Sequence, residues 1–182
     1  DIQGDTYKVR FTLNPENALK PGDTFELGNT FCSETMGCRN AVAHHHVGES
    51  QTRHHPAYIN FGLESYIAAP LYVKNRLYGT INFSGPEPRA RAFGSGEIEL
   101  IQLFAKWIGD ELAREETDAE LNRQRRLLNA VSAQAKIGGW ELDLRTQHLY
   151  WTPITRLIHE VDEDFTPTVE NGINFYDGDE AR

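Results

Sequence analysis

Two apolar runs flanking a short polar turn, SYIAAPLYV and LYGTINFSG with KNR between them, constrain this chain more than any other stretch. β-branched and aromatic residues favour a pleated backbone, and a turn of this length joins neighbouring antiparallel strands. Both runs are nearly continuous in apolar character, which predicts cover on both faces and a central place in the sheet. From Gly96 the period changes to that of a helix. Ile98, Ile101, Ala105, Ile108 and Leu112 recur at three or four residues, and Leu100, Leu103, Phe104 and Trp107 widen the stripe. The next fourteen residues, AREETDAELNRQRR, carry eight charges and neither Gly nor Pro. Acidic residues lead the basic ones, as i,i+4 pairing and the helix dipole favour. The pattern predicts one helix over 96–135. A helix that long without an internal stop is a connector or a coiled coil.

Upstream, TYKVRFTL at 6–13 alternates as a strand does, and QGD before it is a turn, so a hairpin is expected. NPENALKPGD is a loop. NTFCSETM predicts a short helix capped by Asn29 or Thr30, with Glu34 close to capping-box spacing. AVAHHHV is strand-like by its neighbours. Downstream, IGG at 137–139 stops the long helix, and WELDLRT and HLYWT form a second hairpin around QH. PITRLIHEV is helical with Pro153 in its first turn. DEDFTPTVENGINFYDGDEAR has turn chemistry and predicts no further strand. The stretch from 135 offers too little apolar surface for a core of its own, and reads as the cut-off start of a second domain.

With 182 residues, 39% of them hydrophobic and 25% charged, the chain is long enough for one domain and part of another. Eighteen basic residues against 27 acidic, net −9, disfavour a phosphate-backbone binder, so no nucleic-acid partner is expected. The apolar runs are far too short to span a bilayer, and no leader opens the chain, so a cytoplasmic location and no membrane contact in this fragment are expected, with a targeting or membrane segment left open for any upstream sequence. The first residues, DIQGDTYKVRFTL, start inside a hydrophobic pattern, so the chain reads as a fragment. Cys32 and Cys38, spaced C-x5-C, fit a reduced compartment and match no common zinc pair.

In order and in residues, residues 1–114 resemble a bacterial GAF domain that is incomplete at its N-terminus. The likeness is carried by PGDTFELGNTFCSETM, HVGESQTRHHPAY and FGLESYIAAPLYVKNRLYGTINFSGPEPRARAF leading into ELIQLFAKWIGDEL. Residues 115–134 then read as a signalling or coiled-coil helix. Residues 135–182, through AKIGGWELDLRTQHLYWTPITRLIHEV and FTPTVENGINFY, resemble the start of a PAS domain. The resemblance implies an α+β fold: a six-stranded antiparallel sheet with flanking helices, a long connecting helix, and the first part of a second antiparallel α+β domain. It also implies sensory input to an effector in the same chain, a histidine kinase first and a diguanylate cyclase as the alternative. A homodimer through the GAF-like part and the connecting helix is the expected partner state. A dimerisation module without a ligand is the competing reading of another class, and a GAF-containing methionine-sulfoxide reductase would need a reactive cysteine set.

Five of the seven histidines fall within AVAHHHVGESQTRHHPAY. On a strand, His44 and His46 share one face and His45 takes the other, so two imidazoles could meet a metal with His54 or His55 as a third ligand. No acidic or thiolate ligand is patterned with them, and the expectation is surface or pocket-wall histidines and no metal site. His55, beside Pro56, marks a loop-to-helix junction. Some GAF domains attach a bilin through a cysteine followed by His, whereas Ser33 follows Cys32, so no covalent chromophore and no cofactor are expected. Cys32, His55 and Glu64 supply nucleophile, base and acid types without a framing motif such as G-x-S-x-G, so no catalytic site is expected in this fragment. Arg89 and Arg91 in FSGPEPRARAF are expected in an exit loop, solvated or bonding nearby carbonyls. Small-molecule binding remains, with an unidentified ligand. Such cavities are mostly apolar with a few polar contacts, a mix that Phe31, Cys32, His46, His55, Tyr58, Tyr66 and Phe83 provide.

Overall fold

The computed structural model describes residues 2–15, 19–162 and 164–175. The chain divides into two compact units, 1–117 and 118–182, with antiparallel sheets and helices in each.

In the first unit, β1 (Ile2–Gln3) and β2 (Thr6–Lys8) form a tight hairpin through Gly4 at φ +60°, and β2 pairs with β3 (Thr24–Glu26). The strand expected over 6–13 stops early. Val9 adds two backbone bonds across to Asp23 and Gly22, both 2.8 Å, and then Phe11 and Leu13 lie exposed. Alternation makes a strand only where a partner ladder continues.

The second sheet has the order β4 (Val42–His44), β5 (Ser65–Val73), β6 (Arg76–Gly85). The β5–β6 turn is Lys74–Asn75 with φ +49° and +62°, so Arg76 belongs to the strand and not to the turn. Two consecutive left-handed residues match the right-handed twist of the strands they join. β5 is buried along nearly its whole length, as expected of a central strand. β6 is different: among the described residues it pairs with β5 alone and forms an edge, and Phe83 is 58% exposed. Nor do the described residues form one six-stranded sheet; they form two sheets of three strands each in this unit. Continuous hydrophobicity reports cover on a strand's faces. It does not report whether both backbone edges find a ladder.

Each face of the second sheet carries its own core. Tyr66 and Ala68 of β5 pack with Phe31, Val47 and Ala57 on one side. Ile67 and Ala69, pointing the other way, pack with Ile101 and Ala105 of α3 (Ser95–Ala135). That helix is continuous over 41 residues and agrees with the expected span within one residue. Its buried line is Ile101, Ala105 and Gly109, with Ile98, Ile108 and Leu112 half-buried. Leu100, Leu103, Phe104 and Trp107 do not widen the buried stripe: they are exposed. A helix laid on a sheet buries only an arc of its surface. From Arg114 to Val131 every residue of α3 is exposed.

Two short α-helices also belong to this unit, α1 (Cys32–Gly37) and α2 (Pro56–Phe61), the latter ended by Gly62 at φ +63°. In the second unit, Lys136 at φ +53° closes α3, and β7 (Trp140–Asp143) pairs with β8 (His148–Trp151) as the expected hairpin. Thr152 caps α4 (Pro153–Ile158) by accepting from the Thr155 amide, with Pro153 in the first turn; the helix is shorter than PITRLIHEV. A capping box at Thr168 and Asn171 starts α5 (Val169–Gly172), one turn that the turn-rich reading did not contain. Trp151, His159, Phe165 and Phe175 pack ring to ring over the hairpin, with centroids 4.8–5.8 Å apart. The rest of the expected terminal turn region, 176–182, lies outside the described residues. No described helix is long and apolar enough to cross a membrane.

Candidate functional site

The face of the second sheet opposite α3 holds a buried polar cluster. Cross-strand register puts Tyr66 opposite Ser84, Ala68 opposite Asn82 and Pro70 opposite Thr80. α1 lies over this face and delivers Cys32, whose Sγ accepts from Thr80 Oγ1 at 3.2 Å and Asn82 Nδ2 at 3.7 Å. The Tyr66 hydroxyl stands 2.9 Å from Thr35 Oγ1 and 3.8 Å from the same sulfur. Thr35 Oγ1 also donates to the Phe31 carbonyl, and the Tyr66 hydroxyl donates to the Cys32 sulfur. Tyr7 reaches in beside Asn82 and Cys32. Burial, and next the neighbouring Cys32, push Tyr66 well above the ordinary phenol range, and Tyr7 rises for the same two reasons in the same order. Both stay neutral hydroxyls at physiological pH. Among the described residues no buried side-chain nitrogen or oxygen lacks a partner. A ligand entering here must exchange hydrogen bonds, because unpaired buried polar groups are costly.

Phe31, 1% exposed, sits between two imidazoles, with centroids 5.3 Å from His44 and 4.7 Å from His55. Glu34 reaches both rings: Oε2 is 2.8 Å from His44 Nε2, and Oε1 is 4.0 Å from His55 Nε2. The expected caps of α1 therefore fail. Phe31 occupies the N-cap position without a side-chain bond, the Thr30 hydroxyl donates to the Leu27 carbonyl, and Glu34 turns to the histidines. His55 is the N-cap of α2: its Nδ1 accepts from the Ala57 amide at 3.1 Å, ahead of Pro56 at the first helical position. An accepting Nδ1 has no proton, so neutral His55 carries it on Nε2, facing Glu34. In that state neither ring nitrogen offers a lone pair to a metal.

The strand expected for AVAHHHV ends at His44, so His46 does not share its strand face. His46 lies between two carboxylates instead, Nδ1 3.4 Å from Glu49 and Nε2 3.9 Å from Glu64. Glu64 accepts from the Gly48 amide at 3.0 Å and from the Tyr58 hydroxyl at 2.8 Å. These two bonds, Gly48 first, hold its carboxyl below the usual carboxylate range, and the same bond raises Tyr58. A Cβ at Gly48 would fall 2.7 Å from the Tyr58 hydroxyl and 2.9 Å from the Glu64 carboxylate, so any larger residue there has to push this pair aside. His54 accepts from Arg53 Nε at 3.1 Å, away from the other rings. Among the described residues no group of three or more His, Cys, Asp or Glu side chains is disposed to hold a metal ion.

Of the seven residues singled out in the sequence, six meet on this face. Phe31, Cys32 and Tyr66 are its buried floor, His55 stacks on Phe31, and Tyr58 and His46 converge on Glu64. Phe83 does not join them. It pairs with Ile67 on the α3 face and lines a groove of about 390 Å³ with Phe93, Leu100 and Phe104. Arg89 also lines that groove: it bonds Glu97 at 2.5 Å and lies 4.0 Å over the Phe93 ring, with its side chain still 34% exposed. Sequence reading missed Glu34 as a histidine partner, and Thr35, Thr80 and Asn82 altogether. The i,i+2 spacing of Thr80 and Asn82 was a visible signal, but only the register of β6 shows which face they take.

Residues 8–112 match the sequence profile of the GAF domain. No curated protein matches the chain in sequence. Among solved structures, a crystal structure of the E. coli DhaR(N)–DhaL complex is similar at 19% identity and TM-score 0.52, over 84% of this chain and 51% of that one. The phycocyanobilin-bound GAF domain of a cyanobacterial phytochrome is 16% identical at TM-score 0.44, covering 57% of this chain and 65% of its own. The GAF domain of a two-component sensor histidine kinase from Bacillus halodurans is 17% identical at TM-score 0.43, over 66% and 80%. The chain thus spans about half of the E. coli chain and under two thirds of the phytochrome domain. Over more than half of its length, this chain belongs to the GAF domain family.

Proposed function

We propose that this chain is the sensory input region of a bacterial signalling protein, in which the face built on Phe31, Cys32 and Tyr66 receives a small molecule and α3 carries the response onward. Binding rather than catalysis is the reading, with residues 1–114 as sensor, 115–134 as signalling helix and 135–182 as the start of a PAS-type domain. The effector in the same chain is a histidine kinase, with a diguanylate cyclase as the alternative, and the setting is cytoplasmic. The supporting observation is β5. Its alternate residues contact opposite cores, Tyr66 and Ala68 toward the candidate site, Ile67 and Ala69 toward α3. A ligand that displaces Tyr66 therefore presses on the strand against which the helix is seated.

The second reading, a dimerisation module, is favoured by the exposed Leu100, Leu103, Phe104 and Trp107 on α3. Large exposed apolar patches mark interaction surfaces, and here a second copy of the helix is the proposed partner. As a dimerisation module without a ligand, this reading competes with the first. A thermal-shift screen of small molecules tests the first, since a native-state ligand stabilises in proportion to RT ln(1 + [L]/Kd). A true ligand gives a concentration-dependent shift that Cys32→Ala or Tyr66→Phe diminishes. Sedimentation tests the second: Leu103→Asp with Trp107→Asp yields monomer if the face is self-associating.

A further inference from the structure

We infer that His55 is a proton-operated cap, which on gaining a proton leaves the Ala57 amide for the Glu34 carboxylate and releases the first turn of α2. The inference stands apart from any ligand. His55 Nδ1 accepts from the Ala57 amide at 3.1 Å, and that bond requires a lone pair. Protonation converts Nδ1 into a second donor, so two N–H groups would face each other and the cap is lost. On its other side the ring already faces a carboxylate, and the 4.0 Å gap from Nε2 to Glu34 Oε1 leaves room for the imidazolium to close in. One proton thus weakens one contact and strengthens the other.

The charged groups around the ring set the balance. From α1, Glu34 is the anion; from β4, His44 shares that carboxylate at 2.8 Å; within its own segment, Arg53 is bonded to His54. Glu49 and Glu64 are directed at His46 instead. Glu34 is therefore the carboxylate that draws the His55 proton, and a protonated His44 competes for it. The consequence reaches the core. Ala57 of α2 is fully buried against Phe31, and Tyr58, the next residue, holds Glu64 and through it Gly48. Releasing the first turn loosens the cover over the polar cluster.

Nuclear magnetic resonance of the full chain between pH 7.5 and 5.0 tests this. At neutral pH the ¹⁵N shifts of His55 should show an unprotonated Nδ1 and a protonated Nε2. As the ring gains its proton, the Ala57 amide should shift with the same midpoint. Its exchange, corrected for the chemical dependence on pH, should rise by about fivefold, the fraying that loss of an N-cap produces. His55→Asn, a capping residue that does not titrate, should hold Ala57 protection flat. A protonated Nδ1 at neutral pH, or an Ala57 response that persists unchanged in His55→Asn, overturns the inference. Should that variant not fold, the wild-type midpoints decide: an Ala57 amide that ignores the His55 titration also overturns it.

Discussion

Gly109 of α3 lies so close to Tyr72 of β5 that a Cβ at Gly109 would fall 2.2 Å from the Tyr72 carbonyl oxygen. The helix crosses the strand backbone to backbone at this point, beyond the side-chain contacts of Ile101 and Ala105. Gly109→Ala should force the helix away and destabilise the first unit by about 1–3 kcal/mol, the usual cost of overpacking. Gly96→Ala is the control, because nothing lies within 4 Å of a Cβ there. It should be neutral or stabilise by roughly 0.4–1 kcal/mol through lost unfolded-state entropy. Urea unfolding of both variants checks this; equal stability would mean that α3 is not seated at Tyr72.

Glu64 should make the protein acid-sensitive. Its folded carboxyl is held below the usual range by the Gly48 amide and the Tyr58 hydroxyl. A depressed value contributes stability that is fully present above the unfolded pKa, near about 4.3, and lost as pH falls through the folded value. Denaturation midpoints followed from pH 6 to pH 3 should fall more steeply in the wild type than in Glu64→Gln. Parallel curves would remove Glu64 from the acid limb.

The two thiols should react on different clocks. Cys38 is exposed and Cys32, the first residue of α1, is buried, both of them free. A thiol reagent should modify one sulfur at once and the second only as the fold opens, and Cys38→Ser should abolish the fast phase. Cys32→Ala should lower stability by about 1–3 kcal/mol, because Thr80 and Asn82 lose the acceptor they share. Fast modification of Cys32 in the folded Cys38→Ser variant would contradict its burial.

If α3 transmits a signal, its phase matters. Inserting one residue at Thr117 rotates everything beyond it by ~100°. In a chain carrying its effector, that insertion should alter output, while a seven-residue insertion, which nearly restores the phase, should alter it far less. Output indifferent to the single insertion but changed by the heptad would reduce the helix to a tether.

Residues 135–182 should not fold in isolation. A two-stranded ladder is marginal in water, and the cover over Trp151 comes from short segments around His159, Phe165 and Phe175. Amide exchange on the excised segment should be fast throughout Trp140–Tyr150. Slow, cooperative protection there would defeat the prediction.

What the sequence determined by itself was local. The β5–β6 hairpin, the uninterrupted α3, the Trp140–Trp151 hairpin and the junction at His55–Pro56 follow from apolar period, absence of breakers and turn chemistry, all of which act within a few residues. What it left open depended on partners distant in the chain. Both runs beside KNR carried the signal of a central strand, yet among the described residues β5 is central and β6 an edge, because ladder pairing is a property of neighbours and not of composition. Glu34 had the spacing of a helix cap and became the partner of His44, ten residues away, because the fold offered it an imidazole instead of an amide. Phe83 had the character of a pocket wall but faces α3, since one step of register decides which side of a strand a residue takes. Gly109 carried no signal at all. Only the approach of two backbones, set by the packing of α3 on β5, gave a missing side chain its meaning.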